Sequence, residues 1–240
     1  MLSIIIPTLN EEKTLERTLL CLKGLTLHDN EIIISDGKST DKTVEIAKKY
    51  NAKIVEYTDS VRQTIGQARN MGADVAQGEY LIFIDADIII PEINSFFIKA
   101  VKNFEQDKDL VALAPFIYYY KKEATFADNF FGGIMNYIYY ISNNFFHIGQ
   151  SAGEFQIIQK DIFKKLNGYN EKLSAAEDID MFSRLSKIGR TKVDRNLKIF
   201  QSPRRPHQVG WPRLLSSWFR NAMSSKLFKK SCDKEWEVIR

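Results

Sequence analysis

The feature that most limits the fold of this chain is a repeated change of hydrophobic period along its first third. Short runs at Leu2–Ile6, Glu31–Ser35, Lys53–Tyr57 and Tyr80–Ile84 have the length and the β-branched or aromatic content of strands. Between them the apolar residues fall at helical spacing. Leu15, Leu19 and Leu22 follow Asn10, a good N-cap residue. Val44 and Ala47 follow Ser39–Asp41, and Ile65–Ala76 reads as a helix ended by Gly78. This alternation, with nearly continuous apolar strands, predicts an α/β fold: a three-layer α/β/α sandwich with a mostly parallel central sheet. In open sheets of that kind, ligands bind beyond the carboxyl ends of the strands.

The residues expected at those ends are polar and charged. Pro7-Thr8-Leu9-Asn10-Glu11 follows the first run, Asp36-Gly37-Lys38-Ser39-Thr40-Asp41 the second, and Asp85-Ala86-Asp87 the fourth. Gln67-Ala68-Arg69-Asn70 lies on the helix before the fourth run. Two carboxylates one residue apart repel each other unless a cation sits with them. Oxygen ligands alone suit Mg²⁺ or Mn²⁺, and the natural load of such an ion is a diphosphate. Each cluster also has a plainer reading. Asn10 and Ser39 or Thr40 could cap helices, Arg69 could pair with a surface carboxylate, and Asp85 and Asp87 could be solvated.

Further along, Phe155–Gln159 reads as a strand and Asp161–Leu166 as a helix, before a Gly168-Tyr169-Asn170 turn. Glu177 and Asp178 open another helix that runs through Ile188 and stops at Gly189; acidic residues there also suit the helix dipole. The polar loop Gly149–Glu154, with Gly153 and Glu154, could line an acceptor or donor-sugar pocket or be plain surface. The aromatic-rich segment 116–146 reads either as a core helix or as a surface for lipid or for a second copy of the chain. Its charge-free stretch is too short and too interrupted to span a bilayer.

The 240 residues, 44% of them hydrophobic, are enough for one large core or one domain with an appendage. Cys21 and Cys232 have neither metal-ligand nor disulfide-framework spacing, which predicts a reducing compartment. The first residues read as a strand and not as a signal peptide. Charge is uneven: nine basic residues face three acidic ones from Arg204 onward, against 25 and 27 before it. Between residues 211 and 230, Trp211, Leu214, Leu215, Trp218, Phe219, Ala222, Met223 and Leu227 form a helical stripe amid basic residues. That pattern predicts either a docked terminal helix or an interfacial helix on an anionic membrane. No nucleic-acid-binding motif accompanies the charge, so nucleic acid is not an expected partner.

Taken together, these motifs resemble the family 2 glycosyltransferases, which have the GT-A, Rossmann-like fold. The matching elements are the opening strand with Pro7, Asn10 and Glu11; Asp36-Gly37-x-Ser39-Thr40-Asp41; Ala68-Arg69-Asn70; Asp85-x-Asp87; Gly168-Tyr169-Asn170-Glu171; and Glu177-Asp178. Lys38 departs from the small or polar residue of many members. The resemblance implies a transferase domain over 1–200, with a donor half to about 115 and an acceptor half from 116, followed by a basic extension at 201–240. It implies a nucleotide-diphospho sugar as donor, a sugar or lipid-linked acceptor, and action in the cytoplasm or peripherally at its membrane face.

The resemblance also implies roles. The loop from Pro7 through Thr8 to Glu11 would hold base and ribose, and Asp36 would contact the base. Arg69 would face the diphosphate or order the aspartates. In the Asp85-Ala86-Asp87 turn, Asp85 would position the donor and Asp87 would bind the Mg²⁺ or Mn²⁺ ion. Asp178, beside Glu177, would be the general base of an inverting transfer. His207 would be a further metal ligand or part of a basic loop over the diphosphate, where Arg204 and Arg205 match phosphate geometry. Two other enzyme classes fit less well. A nucleotidyltransferase would present a glycine-rich loop after its first strand, and a dinucleotide-binding dehydrogenase would carry Gly-x-Gly-x-x-Gly. Neither motif occurs. A non-catalytic scaffold that binds sugar nucleotide or membrane is the third alternative.

Overall fold

Alternate residues of the apolar strands face opposite sides of one sheet, and that single fact builds the layers. The computed structural model describes residues 1–26, 29–228 and 230–232. Its strands are β1 (Leu2–Thr8), β2 (Asn30–Asp36), β3 (Lys53–Glu56), β4 (Tyr80–Ile84), β5 (Leu110–Tyr119), β6 (Phe155–Gln159) and β7 (Arg190–Gln201). They form one seven-stranded sheet in the order β3-β2-β1-β4-β6-β5-β7. Only β6 runs against its neighbours.

The helices are α1 (Leu15–Lys23), α2 (Thr43–Lys49), α3 (Ile65–Asp74), α4 (Ile93–Gln106), α5 (Phe126–Asn144), α6 (Lys160–Lys165), α7 (Glu177–Leu185), α8 (Arg204–Val209) and α9 (Trp211–Phe228). Ile4, Ile6, Ile34, Ile82 and Ile84 pack with α1, α2 and α4. Ile5, Ile33, Leu81 and Phe83 pack with α3, α6 and α7 on the other face. The expected α/β sandwich with a mostly parallel sheet is therefore present.

Several local expectations are corrected. Asn10 does not cap α1: it has φ 56° and its side chain accepts from Thr40, so the helix begins at Leu15. Ser39 bonds to Asp36, and α2 begins at Thr43, whose N–H donates to Asp41 Oδ1 at 3.0 Å. Helix α3 ends at Asp74; Gly78 instead lies against β1, where its N–H donates to Ser3 Oγ at 2.7 Å. Helix α7 ends at Leu185, before Ile188. The segment 116–146 is not one core helix. It holds the end of β5, a turn, and α5, in which Phe126, Phe130 and Tyr137 are exposed while Tyr139 and Tyr140 pack on the core. The division expected near residue 115 falls inside β5.

The C-terminal helices pack on the body. Trp211 stacks on Phe131 with ring centroids 5.2 Å apart and donates to Asp128 Oδ1 at 2.8 Å. The expected stripe of α9 splits, since Trp211 and Leu214 are buried whereas Phe219 and Met223 are exposed. Lys229, Lys234 and Arg240 of the basic tail, and the side chains of Lys226 and Leu227, lie outside the described residues. No helix among the described residues is long and apolar enough to cross a membrane.

Candidate active site

β1 and β2 are paired so that Thr8 stands beside Asp36 at their carboxyl ends. Thr8 Oγ1 donates to Asp36 Oδ1 at 2.9 Å, and Ser39 donates to both Asp36 oxygens, by its hydroxyl at 2.6 Å and its N–H at 2.8 Å. Asp36 is buried and thus holds its own turn. That turn is tied to the loop after β1. Asn10 N–H donates to Ser39 Oγ at 2.8 Å, Thr40 N–H to Asn10 Oδ1 at 2.7 Å, and Glu11 N–H to Thr43 Oγ1 at 2.8 Å. Lys38, the departure from the family pattern, fits the turn at φ 67°, and its ammonium donates to the carbonyls of Thr58 and Asp59. Asn10, Glu11, Thr40, Asp41 and Arg204 line a pocket of about 250 Å³.

Two strands over, Asp85-Ala86-Asp87 turns away from the end of β4. Its backbone is held from three sides. Asp85 N–H donates to Glu154 O at 3.1 Å, Thr18 Oγ1 donates to Ala86 O at 2.8 Å, and the Tyr120 hydroxyl donates to Asp87 O. Asp87 is buried, whereas the side chain of Asp85 is 36% exposed. Burial is the main reason the carboxyls are raised, Asp85 to about 7 and Asp87 to about 6; the neighbouring Glu154 carboxylate adds to both.

Arg69, on α3, joins this turn to the start of α7. Its guanidinium is buried. Nη1 bonds to Glu177 Oε1 at 2.5 Å, Nη2 bonds to Gly153 O at 2.8 Å, and Asp85 Oδ1 lies 3.7 Å away. The next residue, Asn70, clamps the Gly168–Glu171 turn: its amide donates to Tyr169 O and Glu171 Oε1 at 3.0 and 2.9 Å and accepts from Tyr169 N–H at 2.8 Å. Gly168 has φ 67°, and a Cβ there would fall 2.4 Å from Asn70 Oδ1. Only glycine fits that turn. Two motifs about a hundred residues apart in sequence are therefore one structural unit.

Glu177 and Asp178 begin α7 directly after Ala176, which holds a left-handed φ of 63°. Such backbone strain tends to cluster at functional sites. A Cβ on Gly153 would lie 2.9 Å from Arg69 Nη2 and 3.2 Å from Asp178 Oδ2, so Gly153, Arg69 and Asp178 share one corner. Desolvation, then the neighbouring Glu177 carboxylate, raises the Asp178 carboxyl well above its ordinary value.

A divalent cation fits this corner as a site that a substrate completes. Asp85 and Asp87 supply two carboxylates on one turn, and among the described residues no cluster of three His, Cys, Asp or Glu could hold an ion. Two carboxylates with phosphate oxygens and water is an ordinary Mg²⁺ arrangement. His207 is not placed with them, since its Nε2 lies 2.8 Å from Asp128 Oδ2. The charge partner of Asp87 is Arg204 on α8. Its Nε is 3.3 Å from Asp87 Oδ2, and its two terminal nitrogens grip Glu11 at 2.9 and 3.0 Å.

Of the sequence-predicted set, then, Asp85, Ala86, Asp87, Arg69, Gly153, Glu154, Glu177 and Asp178 form one corner. Pro7, Thr8, Asn10, Glu11 and Asp36 form the adjoining platform, to which Arg204 connects them. Sequence reasoning missed Tyr120 and gave Tyr169 only as part of the Gly168–Glu171 turn, with no role of its own. Tyr120 holds the Asp87 carbonyl, and the Tyr169 ring lies under Arg69 at 5.2 Å from the guanidinium carbon. It also missed Tyr139 of α5, whose phenol is raised by burial and then by the Asp178 and Glu154 carboxylates. Among so many aromatic residues, no local signal singles out Tyr120 or Tyr139.

The chain matches the model of the family described as Glycosyl transferase family 2 over residues 3–166. Among curated proteins it is 39% identical over 90 residues to a PGL/p-HBAD biosynthesis glycosyltransferase of Mycobacterium bovis, a match covering 36% of this chain and 35% of that protein. The chain thus spans about a third of the length of that relative. Among solved structures it is similar to a mannosyltransferase from Pyrobaculum calidifontis in complex with GDP-Man and Mn²⁺. The TM-score is 0.75 at 16% identity, over 94% of this chain and 64% of the other. It is also similar to glucosyl-3-phosphoglycerate synthase from Mycobacterium tuberculosis in complex with Mn²⁺ and UDP, with TM-score 0.61 at 20% identity, over 95% of this chain and 78% of the other.

Proposed function

The chain belongs to glycosyl transferase family 2, and on that premise we propose that it transfers a sugar from a nucleotide-diphospho sugar to an acceptor hydroxyl by a single inverting displacement. The observation that carries this reading is the double attachment of Arg69. One guanidinium faces the donor-side Asp85 and also bonds the acceptor-side Glu177 and Gly153. Donor and acceptor residues therefore share one charged hinge.

In this reading, the platform of Thr8, Asn10, Glu11 and Asp36 receives the nucleoside, and the Asp85-Ala86-Asp87 turn receives the diphosphate. Asp87, with Asp85 beside it, would hold a Mg²⁺ or Mn²⁺ ion, which when bound stabilises charge on the departing nucleoside diphosphate as a Lewis acid. Asp178 takes the proton from the acceptor hydroxyl. Its raised proton affinity strengthens it as a base, and Gly153 keeps the space beside its carboxylate open. A base on the face opposite the leaving group gives inversion, by the logic that separates inverting from retaining glycoside hydrolysis.

The test separates the two sides. Asp178→Asn should lose transfer by at least about 100-fold while keeping stabilisation by nucleotide sugar with Mn²⁺. Asp87→Asn should lose both. Near-normal transfer by either folded variant, or transfer that survives complete metal removal, would overturn the corresponding assignment. A panel of nucleotide sugars screened by thermal stabilisation identifies the donor, since a ligand that binds only the folded state raises its stability.

A further inference from the structure

Helix α5 turns an apolar stripe outward and sets polar groups against the sheet. Its polar residues Asp128, Asn136 and Asn143 are buried, whereas Phe126, Phe130, Ile134, Tyr137, Ile141 and Phe145 are exposed. The exposed six recur every three or four residues, so they form one stripe along a helix of about 28 Å. The buried polar groups are all used. Asn136 exchanges two hydrogen bonds with the backbone of Ile117 in β5, at 2.9 and 2.8 Å. Asn143 Oδ1 accepts from Thr191 Oγ1 at 2.6 Å. Asp128 accepts from Thr125, Trp211 and His207. Polar side chains thus fix the helix to the sheet beside Tyr139 and Tyr140, which pack on the core, and Phe131, which stacks on Trp211; the stripe of six on the other side is left in water. Helix α9 repeats the pattern, with Asn221 and Ser225 buried and Phe219 (69%) and Phe228 (71%) exposed.

We propose that α5 and α9 together form a surface that docks on an anionic lipid bilayer. Charge complementarity selects this occupant. The only charged residue of α5, Asp128, is buried, and the exposed Lys121 and Lys122 precede the helix. Along α9 and just after it Arg213, Arg220 and Lys230 are exposed, and the sequence from Trp211 to Lys230 holds no acidic residue. A second copy on the same face would set these basic segments against each other, whereas an anionic headgroup layer attracts them. Exposed aromatic and aliphatic side chains beside cations are the composition of a helix lying in the membrane interface. No described helix is long and apolar enough to span; the contact proposed is with the bilayer surface. Of the two surface readings of 116–146, lipid or a second copy, we take lipid and join it to the membrane reading of 211–230.

The test is independent of sugar transfer. The full chain is mixed with vesicles of phosphatidylcholine alone, or of phosphatidylcholine with phosphatidylglycerol, and co-sedimentation is measured. Binding to the anionic vesicles should be strong, should fall with added salt and should be weak on the neutral ones. Arg213→Gln with Arg220→Gln should weaken it about 30-fold, the effect of two near-surface cations. Phe126→Ser, Phe130→Ser and Phe145→Ser combined should weaken it more than about 50-fold, because the apolar contact is lost. All five positions are exposed, and unchanged circular dichroism confirms each fold. No binding by the unaltered chain, equal binding to neutral vesicles, or full binding by the aromatic triple variant overturns the proposal. So does a concentration-dependent dimer that the triple variant abolishes without any vesicle binding.

Discussion

Replacing Arg69 by methionine tests whether the guanidinium is the hinge of the site. The substitution keeps an unbranched apolar stem and removes only the charged head. It strands Glu177, which is 6% exposed and has its ion pair with Arg69 at 2.5 Å, and it leaves the Gly153 carbonyl without its 2.8 Å donor. Breaking a buried ion pair from one side costs about 3–5 kcal/mol, because the remaining charge has no compensation. For a chain of this size, 1 kcal/mol shifts the melting temperature by about 2–4 °C, so Arg69→Met should lower it by roughly 6–20 °C. The assay is urea and thermal unfolding followed by circular dichroism. The double variant Arg69→Met with Glu177→Gln should recover at least about 2 kcal/mol, the coupling expected of contacting residues. A single-variant cost under about 1 kcal/mol would refute the hinge, as would additive costs in the double variant.

Other substitutions probe the surrounding geometry. Gly168→Ala should cost about 1–3 kcal/mol, because the left-handed φ and the contact with Asn70 both oppose a Cβ; unfolding measurements check it. Arg204→Gln releases Asp87 and Glu11 from their guanidinium, so Mn²⁺ binding by the donor-free protein, read by electron paramagnetic resonance, should tighten several-fold. Unchanged affinity would show that Arg204 does not compete for Asp87. Asp85 and Asp87 predict a pH dependence in the ligand-free protein. Their folded values of about 7 and 6 lie above the ordinary carboxylate value, so the folded state binds more protons than the unfolded state between about pH 4 and pH 7. Stability should therefore fall as pH rises through that window, and Asp85→Asn should flatten the fall in the urea midpoint.

Much of the site was legible because its residues sit at punctuation points of the chain. Asp36, Asp85 and Asp87 fall where apolar runs stop, and runs stop where strands leave the sheet. Glu177 opens its helix as its position before a helical apolar pattern implies. Other elements were hidden. β5 runs into the aromatic segment without a change of composition, and β7 carries lysine and arginine through most of its exposed positions. Both are held by pairing with each other and, for β5, with β6. In β7 the buried Thr191, Val193, Leu197 and Ile199 alternate with polar residues, but the register shift between Asp194 and Lys198 breaks the period.

By itself the sequence determined the α/β alternation, the end of the sheet where the chemistry lies, and the identity of the acidic residues there. The period of an apolar pattern is a local property, and it decides which face an element buries. Only the tertiary structure decided the partnerships. Arg204 returns from 193 positions away to hold Glu11, and it also faces Asp87. Arg69 spans 108 positions to Glu177, and Asn70 closes on Tyr169. The structure also set Asn136 and Asn143 of α5 against the sheet and Phe126 and Phe130 outward. A hydrophobic pattern marks which residues share a side of a helix. Which side meets the body depends on the hydrogen bonds waiting at β5 and β7, and these exist only once distant strands have paired.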